Sequence, residues 1–298
     1  MRPNHPPVHP KYVVTRPLWR VLRVSLNCPD ALPVMHGLVH AANRAMDERR
    51  TPVFAPLEEG YQVRMVDLRG RIGLAKANDN RSVLRGMATL REMGLVEDFD
   101  LAHRRQVLGW TFPEAVHNRM ADPVARYGLH DLRMVARLRR PLAVGLYSEL
   151  AMVRRMRWPR LRMAVEELCF LHDGVAEPVW ESGGAAPRWS RVARPTLAAL
   201  EAVARHEGIT ILMGLEWSYR LGGIDELTLR LIGPGTRWQP LTLRRAGARA
   251  QRLVVMGPAG VRRIEPAAFG EAKVATLCRV QEWRPSDDAR ARALRPAA

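Results

Sequence analysis

The sequence predicts a mainly helical α+β fold in which one local pattern, three helices followed by a β-hairpin, occurs twice. Three observations lead there. Apolar residues recur at spacings of three and four in short separate blocks, as on helices buried along one side. Alternating stretches flank a polar tip between Asp98 and Arg105, and again flank Gly222-Gly223, as hairpin strands do. Turn-rich zones at Pro113–Pro123 and Gly233-Pro234-Gly235 separate and close the two copies.

Length and charge bound the rest. The chain has 298 residues and is 47% hydrophobic, enough for two domains with real cores. Its 47 Lys+Arg against 30 Asp+Glu give a net charge of +17 and a pI near 11.2, and Lys11, Lys76 and Lys273 are its only lysines. Such an excess points to a polyanionic partner, nucleic acid first and an acidic membrane surface second. No run of 18 apolar residues occurs, and Arg20 and Arg23 interrupt Leu18–Leu26, so neither a membrane span nor a signal peptide is expected. Cys28, Cys169 and Cys278 lie too far apart for a disulfide framework or a Cys-x-x-Cys pair, which fits a reducing cytoplasm.

Along the chain, residues 1–30 read as an irregular basic N-terminal arm. Pro3, Pro6, Pro7, Pro10 and Pro17 oppose regular structure, and Arg2, Lys11, Arg16, Arg20 and Arg23 suit either a phosphate backbone or a loose tail. Residues 31–118 read as the first domain. Leu38, Ala41, Ala42 and Ala45 place a helix near Val34–Glu48, and Thr51-Pro52 and Pro56 mark a loop. Tyr61–Met65 is extended. Val66–Ile72 is a second helix with Val66, Ile72 and Leu74 inward, ended by Gly73. Asn78 or Asp79 caps a third helix carrying Val83, Leu84, Met87, Leu90 and Met93, which stops at Gly94. Leu95-Val96 and Val107–Phe112 then enclose a basic tip at His103, Arg104 and Arg105. This is the order of a winged helix.

Residues 119–235 repeat it. Leu132, Val135 and Leu138 suggest a linker helix broken at Pro141, and Leu142, Leu146, Tyr147, Leu150 and Val153 a first helix. Leu161–Leu171 reads as the second helix and Trp189–His206 as the third, with Val192, Leu197, Leu200 and Val203 inward and Pro195 kinking it or delaying its start. Ile209–Tyr219 and Glu226–Ile232 read as strands. The expected fold is therefore α+β, mainly helical, with two tandem winged-helix (helix-turn-helix plus β-hairpin) domains. Residues 236–298 form a C-terminal extension whose role the sequence does not indicate.

In such a module the third helix enters the major groove, where Arg bonds guanine and Asn bonds adenine bidentately. The first copy would present Asn80, Arg81, Ser82 and Arg85, preceded by Lys76 and Asn78, with Lys76 and Ser82 suited to phosphates. The second would present Arg188, Ser190, Arg191, Arg194 and Thr196. Arg104 and Arg105 of the first wing and Arg220 of the second would lie over backbone or minor groove. Each of these residues has an ordinary alternative as solvated surface. A further cluster, Arg133, Arg137, Arg139, Arg140, Arg154, Arg155 and Arg157, either follows phosphates or solvates a linker.

Signs of catalysis are weak. His36 and His40 are four apart on one helix without the intervening acid of a His-Glu-x-x-His site, which favours packing over metal binding. There is no phosphate-cradling Gly-x-x-x-x-Gly-Lys loop, no His-x-His pair beside a tyrosine, and Glu166-Glu167 point to different helix faces. No cofactor, no metal and no enzymatic activity are expected.

Tyr127-Gly-Leu-His-Asp-Leu132 and Ala143-Val-Gly-Leu146-Tyr147-Ser-Glu-Leu150 resemble the replication initiators of iteron-type plasmids, which carry an Ala-x-x-Leu-Tyr-x-x-Leu pattern in the first helix of a second winged-helix module. Val165-Glu-Glu-Leu168 is similar to their later acidic helix, and Trp189-Ser-Arg-Val192 with Arg194-Pro-Thr-Leu197 to an aromatic-led helix after it. The likeness spans about 34–232. It departs at Gly145, where many relatives have a long polar residue. It implies a protein that binds double-stranded DNA at origin repeats through both modules and helps to open adjacent AT-rich DNA. It further implies recruitment of the host initiator and replicative helicase, and often dimerisation through the first module. A winged-helix transcriptional repressor built from the same parts is the alternative.

Overall fold

The computed structural model describes residues 10–48, 60–74, 79–120, 126–138, 140–156, 159–173, 189–218, 223–232, 250–257 and 260–264. It is a mixed helix and strand structure in two compact units, Met1–Arg140 and Pro141–Ala298.

The first unit starts where an irregular arm was expected. Lys11–Thr15 is strand β1, Arg16–Leu22 is helix α1, and Arg23–Asn27 is a 3-10 turn. Pro17 does not break α1 because it lies at the helix start, where its missing N–H has no partner to lose. Thr15 is the N-cap, and its side chain accepts the Leu18 N–H at 3.3 Å. Burial of Tyr12, Val14, Leu18, Trp19 and Leu22 outweighs what the prolines oppose.

Helix α2, Ala31–Glu48, buries Val34, Met35, Leu38 and Val39. Strand β2, Tyr61–Arg64, leads into α3, Met65–Arg71. Because α3 starts at Met65, spacings of three and four carry Met65, Leu68 and Ile72 inward, and Val66, expected in the core, is 53% exposed. Helix α4, Arg81–Glu92, buries Val83, Met87 and Leu90. It crosses the start of α2 at Gly86, where a Cβ would stand 2.7 Å from the Asp30 carbonyl oxygen and 2.9 Å from Val34. Strands β3, Asp98–Ala102, and β4, Val107–Thr111, form the hairpin, and the sheet order is β2-β4-β3.

The unit does not end near residue 118. Helix α5, Glu114–Met120, is followed by strand β5, Tyr127–Asp131, which pairs antiparallel with β1 and sets Tyr12 opposite His130. Helix α6, Leu132–Leu138, expected as a linker, buries Leu132, Met134 and Val135 and packs on α2 and α3. These contacts move the boundary from 118/119 to 140/141.

In the second unit, α7, Pro141–Arg154, is almost wholly buried. Residues Leu161–Leu171, expected as one helix, divide into strand β6, Arg160–Ala164, and helix α8, Val165–Asp173. The division follows from the alternation of Leu161 and Met163 with Arg160 and Arg162, which places the two apolar side chains opposite Leu229 and Leu227. Helix α9, Trp189–Glu207, runs on through Pro195. Strands β7, Thr210–Ser218, and β8, Gly223–Ile232, follow. Part of the C-terminal extension is β9, Ala250–Gly257, and β10, Gly260–Ile264, giving a sheet ordered β10-β9-β7-β8-β6. Gly222 of the turn expected at Gly222-Gly223 lies outside the described residues, as does most of 236–298, whereas Gly223 opens β8. Both units thus contain the order helix, strand, helix, helix, strand, strand, with the first strand bonded to the last: β2 on β4 and β6 on β8.

The core of the first unit holds three buried histidines. The Tyr12 hydroxyl is hydrogen-bonded to His36 Nδ1, and the Tyr12 ring centroid is 5.6 Å from that of His40. The His36 and His130 centroids lie 6.1 Å apart. Burial, and secondarily the neighbouring His130, pushes His36 down to about 3. Burial likewise pushes His130 to about 4, against a hydrogen bond with the Gly128 backbone that favours its charged form. Both are neutral when folded, whereas the unfolded chain protonates them near 6.5. Their contribution is therefore complete above about pH 6.5 and is lost as pH falls toward the folded values, by at most about 1.4 kcal/mol per pH unit for each. Thermal melts of the full chain should be flat between about pH 7 and 8 and shift steadily down from about pH 6.5 to 4.5. A flat profile across that acid range would contradict the neutral core.

Candidate nucleic-acid interface

The start of α4 is braced from three sides. Asp79 Oδ1 accepts the Arg81 backbone N–H at 3.1 Å, so Asp79 caps the helix from the position before the N-cap residue, Asn80. Arg69 Nη1 donates to the Asp79 carbonyl at 3.1 Å, which ties α3 to the turn. Asn80 Nδ2 donates to the Arg105 carbonyl at 3.3 Å, which ties the helix start to the hairpin tip. At that tip His103, Arg104 and Arg105 have φ of 49°, 55° and 65°, three successive non-glycine residues in the left-handed region. Such a run costs about 1 kcal/mol or more per residue. The Asn80 bond and the Gln106 N–H to Ala102 carbonyl bond of 3.1 Å hold it.

Arg81 and Arg85 are exposed, one helical turn apart, on the side away from Val83 and Met87. Arg81 Nε lies 3.6 Å from Asp79 Oδ2. Arg85 Nε donates to Asp30 Oδ2 at 2.9 Å, and its Nη2 donates to Ser82 Oγ at 3.3 Å. The structure therefore brings Asn80, Arg81, Ser82, Arg85, Arg104 and Arg105 around one helix start. Lys76 and Asn78 lie outside the described residues.

In the second unit, Ser190, Arg191 and Arg194 are exposed in the first two turns of α9. Arg191 Nη2 donates to Asp173 Oδ1 at 2.8 Å, and the same oxygen is 3.0 Å from His172 Nδ1. Thr196, expected to face outward, is fully buried. The inward stripe of α9 is Val192, Thr196, Ala199, Leu200 and Val203, so Thr196 takes the place expected of Leu197, which is half-buried. Arg188 and Arg220 lie outside the described residues. Of the other basic cluster, Arg133 pairs with Asp131 at 3.4 Å and Arg154 with Glu207, while Arg139 and Arg157 are not among the described residues. His36 and His40 pack in the core, and among the described residues no group of three or more His, Cys, Asp or Glu is placed to hold a metal ion.

Sequence reasoning missed the carboxylates. Asp79 was weighed only as a cap. Asp173 ends the helix before α9, where an acidic residue looks like ordinary surface. Asp30 reaches Arg85 from the turn before α2 and leaves no local signal.

Each unit carries this element order, with exposed arginines at the start of α4 in the first and of α9 in the second. A solved structure with a similar fold is that of the Pi initiator protein in complex with iteron DNA, with a TM-score of 0.55 and 13% identity over 75% of this chain and 97% of that one. At that identity the likeness is one of fold. No protein-family model and no curated protein sequence matches the chain. Among the described residues no helix is long and apolar enough to cross a membrane.

The Thr196 hydroxyl is buried without a hydrogen-bond partner. Thr196→Val removes that unsatisfied group at nearly constant volume. It should leave DNA binding unchanged and keep or raise stability by up to about 1 kcal/mol in a thermal melt. A loss of DNA affinity at unchanged stability would return Thr196 to the interface.

Proposed function

We propose that this chain is a sequence-specific double-stranded DNA-binding replication initiator of a plasmid-type replicon, which binds origin repeats and promotes opening of the origin. Each unit acts as a winged-helix module: α3 and α4 with the β3–β4 wing in the first, α8 and α9 with the β7–β8 wing in the second. The observation that carries the reading is the exposed arginine pair at the start of each third helix, Arg81 with Arg85 and Arg191 with Arg194, in a chain of net charge +17. The fold shared with a protein solved on iteron DNA supports it. The protein works by binding, in the cytoplasm, without an enzymatic step of its own. A homodimer and contacts with a host initiator and helicase belong to the same reading.

Footprinting on the DNA beside the gene tests this. Protection of direct repeats next to an AT-rich segment is expected, and protection of an inverted promoter repeat alone would make the protein a repressor. The logarithm of the binding constant should fall with log salt at a slope of roughly −5 to −9, as for about six to ten phosphate contacts. Arg81→Ala and Arg191→Ala should each cost about 1–3 kcal/mol on the repeat and much less on unrelated DNA. Equal loss on both would assign that arginine to the phosphate backbone.

A further inference from the structure

We infer that Asp30 and Asp173 are specificity-determining positioning residues, each holding one arginine of a third helix in the orientation that reads guanine. The inference rests on the DNA-reading proposed above. A carboxylate beside a DNA-facing helix repels phosphates, and an exposed ion pair adds little stability. Both aspartates nonetheless stand against an arginine at the start of a third helix. Asp30 Oδ2 takes the Nε of Arg85 at 2.9 Å, and Asp173 Oδ1 takes an Nη of Arg191 at 2.8 Å. The two contacts are built differently. Asp30 precedes α2 and reaches across to α4, whereas Asp173 ends α8 and reaches α9. Two separate backbone routes therefore lead to one arrangement.

The geometry explains what this does. Arg has many rotamers, and fixing them when DNA arrives costs entropy that a held side chain has already lost. With Nε of Arg85 on Asp30 and one Nη2 hydrogen on Ser82 Oγ at 3.3 Å, Nη1 and the second Nη2 hydrogen remain to face guanine O6 and N7. With one Nη2 hydrogen of Arg191 taken by Asp173, its second Nη2 hydrogen and the N–H beside it still make a two-donor edge. A held guanidinium cannot swing to a nearby phosphate, so the carboxylate removes a sequence-independent contact while favouring the sequence-dependent one. Arg194 supplies the contrast. No described carboxylate pairs with it, and it is left to phosphate.

Full-length wild type, Asp30→Asn, Asp173→Asn, Arg85→Ala and Arg191→Ala are each used to select from a randomised duplex pool, and base preferences are compared position by position. Wild type should enrich a defined sequence. Asp30→Asn should lower guanine preference about tenfold at the base pairs that Arg85→Ala also flattens, and Asp173→Asn at those that Arg191→Ala flattens, with other positions intact. Binding of both Asn variants to an unrelated duplex should stay equal or rise, and their circular dichroism melts should match wild type. A wild-type preference profile in both Asn variants overturns the inference while leaving the DNA-reading in place. So does uniform flattening at every position. If wild type itself enriches nothing, the DNA-reading falls, and this inference with it.

Discussion

The close approach of α4 to the start of α2 is the constraint on which the first unit's surface depends. Gly86 lets the α4 backbone come within contact of the Asp30 carbonyl, where any larger side chain would push the helix away. Glycine inside a helix costs about 0.5–1 kcal/mol relative to alanine, so this packing is held against a local preference. Its result reaches the surface one residue earlier, where Arg85 meets the Asp30 carboxylate. The same seating fixes the α4 start, from which Asn80 holds the hairpin tip. The second unit uses a related device at Gly145, where a Cβ would come 2.7 Å from Leu171 of α8. That accounts for a glycine where the initiator pattern favours a longer residue.

Charge is sorted accordingly. The guanidinium groups of Arg81, Arg85, Arg104, Arg105, Arg191 and Arg194 stay at the surface, where water solvates them. Deep in the first unit lie His36, His40 and His130, imidazoles that can be buried neutral at modest cost, and the Asp131 carboxylate, which is paired with Arg133. Arg230 is a buried cation of the second unit and sits in β8, away from the start of α9. A basic chain thus keeps these arginines free of the core while still burying titratable side chains there.

How much was legible follows from how far each element's causes lie along the chain. Helices α2, α4 and α9 and the β3–β4 hairpin were readable because their apolar spacing and end signals are local. Strand β1 was not, since its cause is β5, and five prolines dominated the local view. The unit boundary was misplaced for the same reason, because α6 looks like a linker until α2 and α3 are seen to cover it. Strand β6 hid inside a helical pattern because Leu161, Val165 and Leu168 also fit a 3.6-residue period. Thr196 went wrong because the inward stripe of α9 passes through 196 rather than 197 while Val192, Leu200 and Val203 stay where spacing puts them, and both positions are four or five residues from Val192. The exposure of Arg81, Arg85, Arg104, Arg105, Arg191 and Arg194 was legible because surface charge needs no partner to be seen. Asp30 escaped because a tertiary contact alone gives it meaning.

The pairing of β1 with β5 has a consequence for synthesis. These two strands bracket α2, α3, α4 and the hairpin between them, so β1 has no sheet partner until nearly the whole unit has been made. Meanwhile the apolar side chains of Tyr12, Val14 and Trp19 are open to solvent in the nascent chain, at the stage when it is most exposed to aggregation and to holdase chaperones. Translation pausing before Asp131 would prolong that interval, and pausing after it would not.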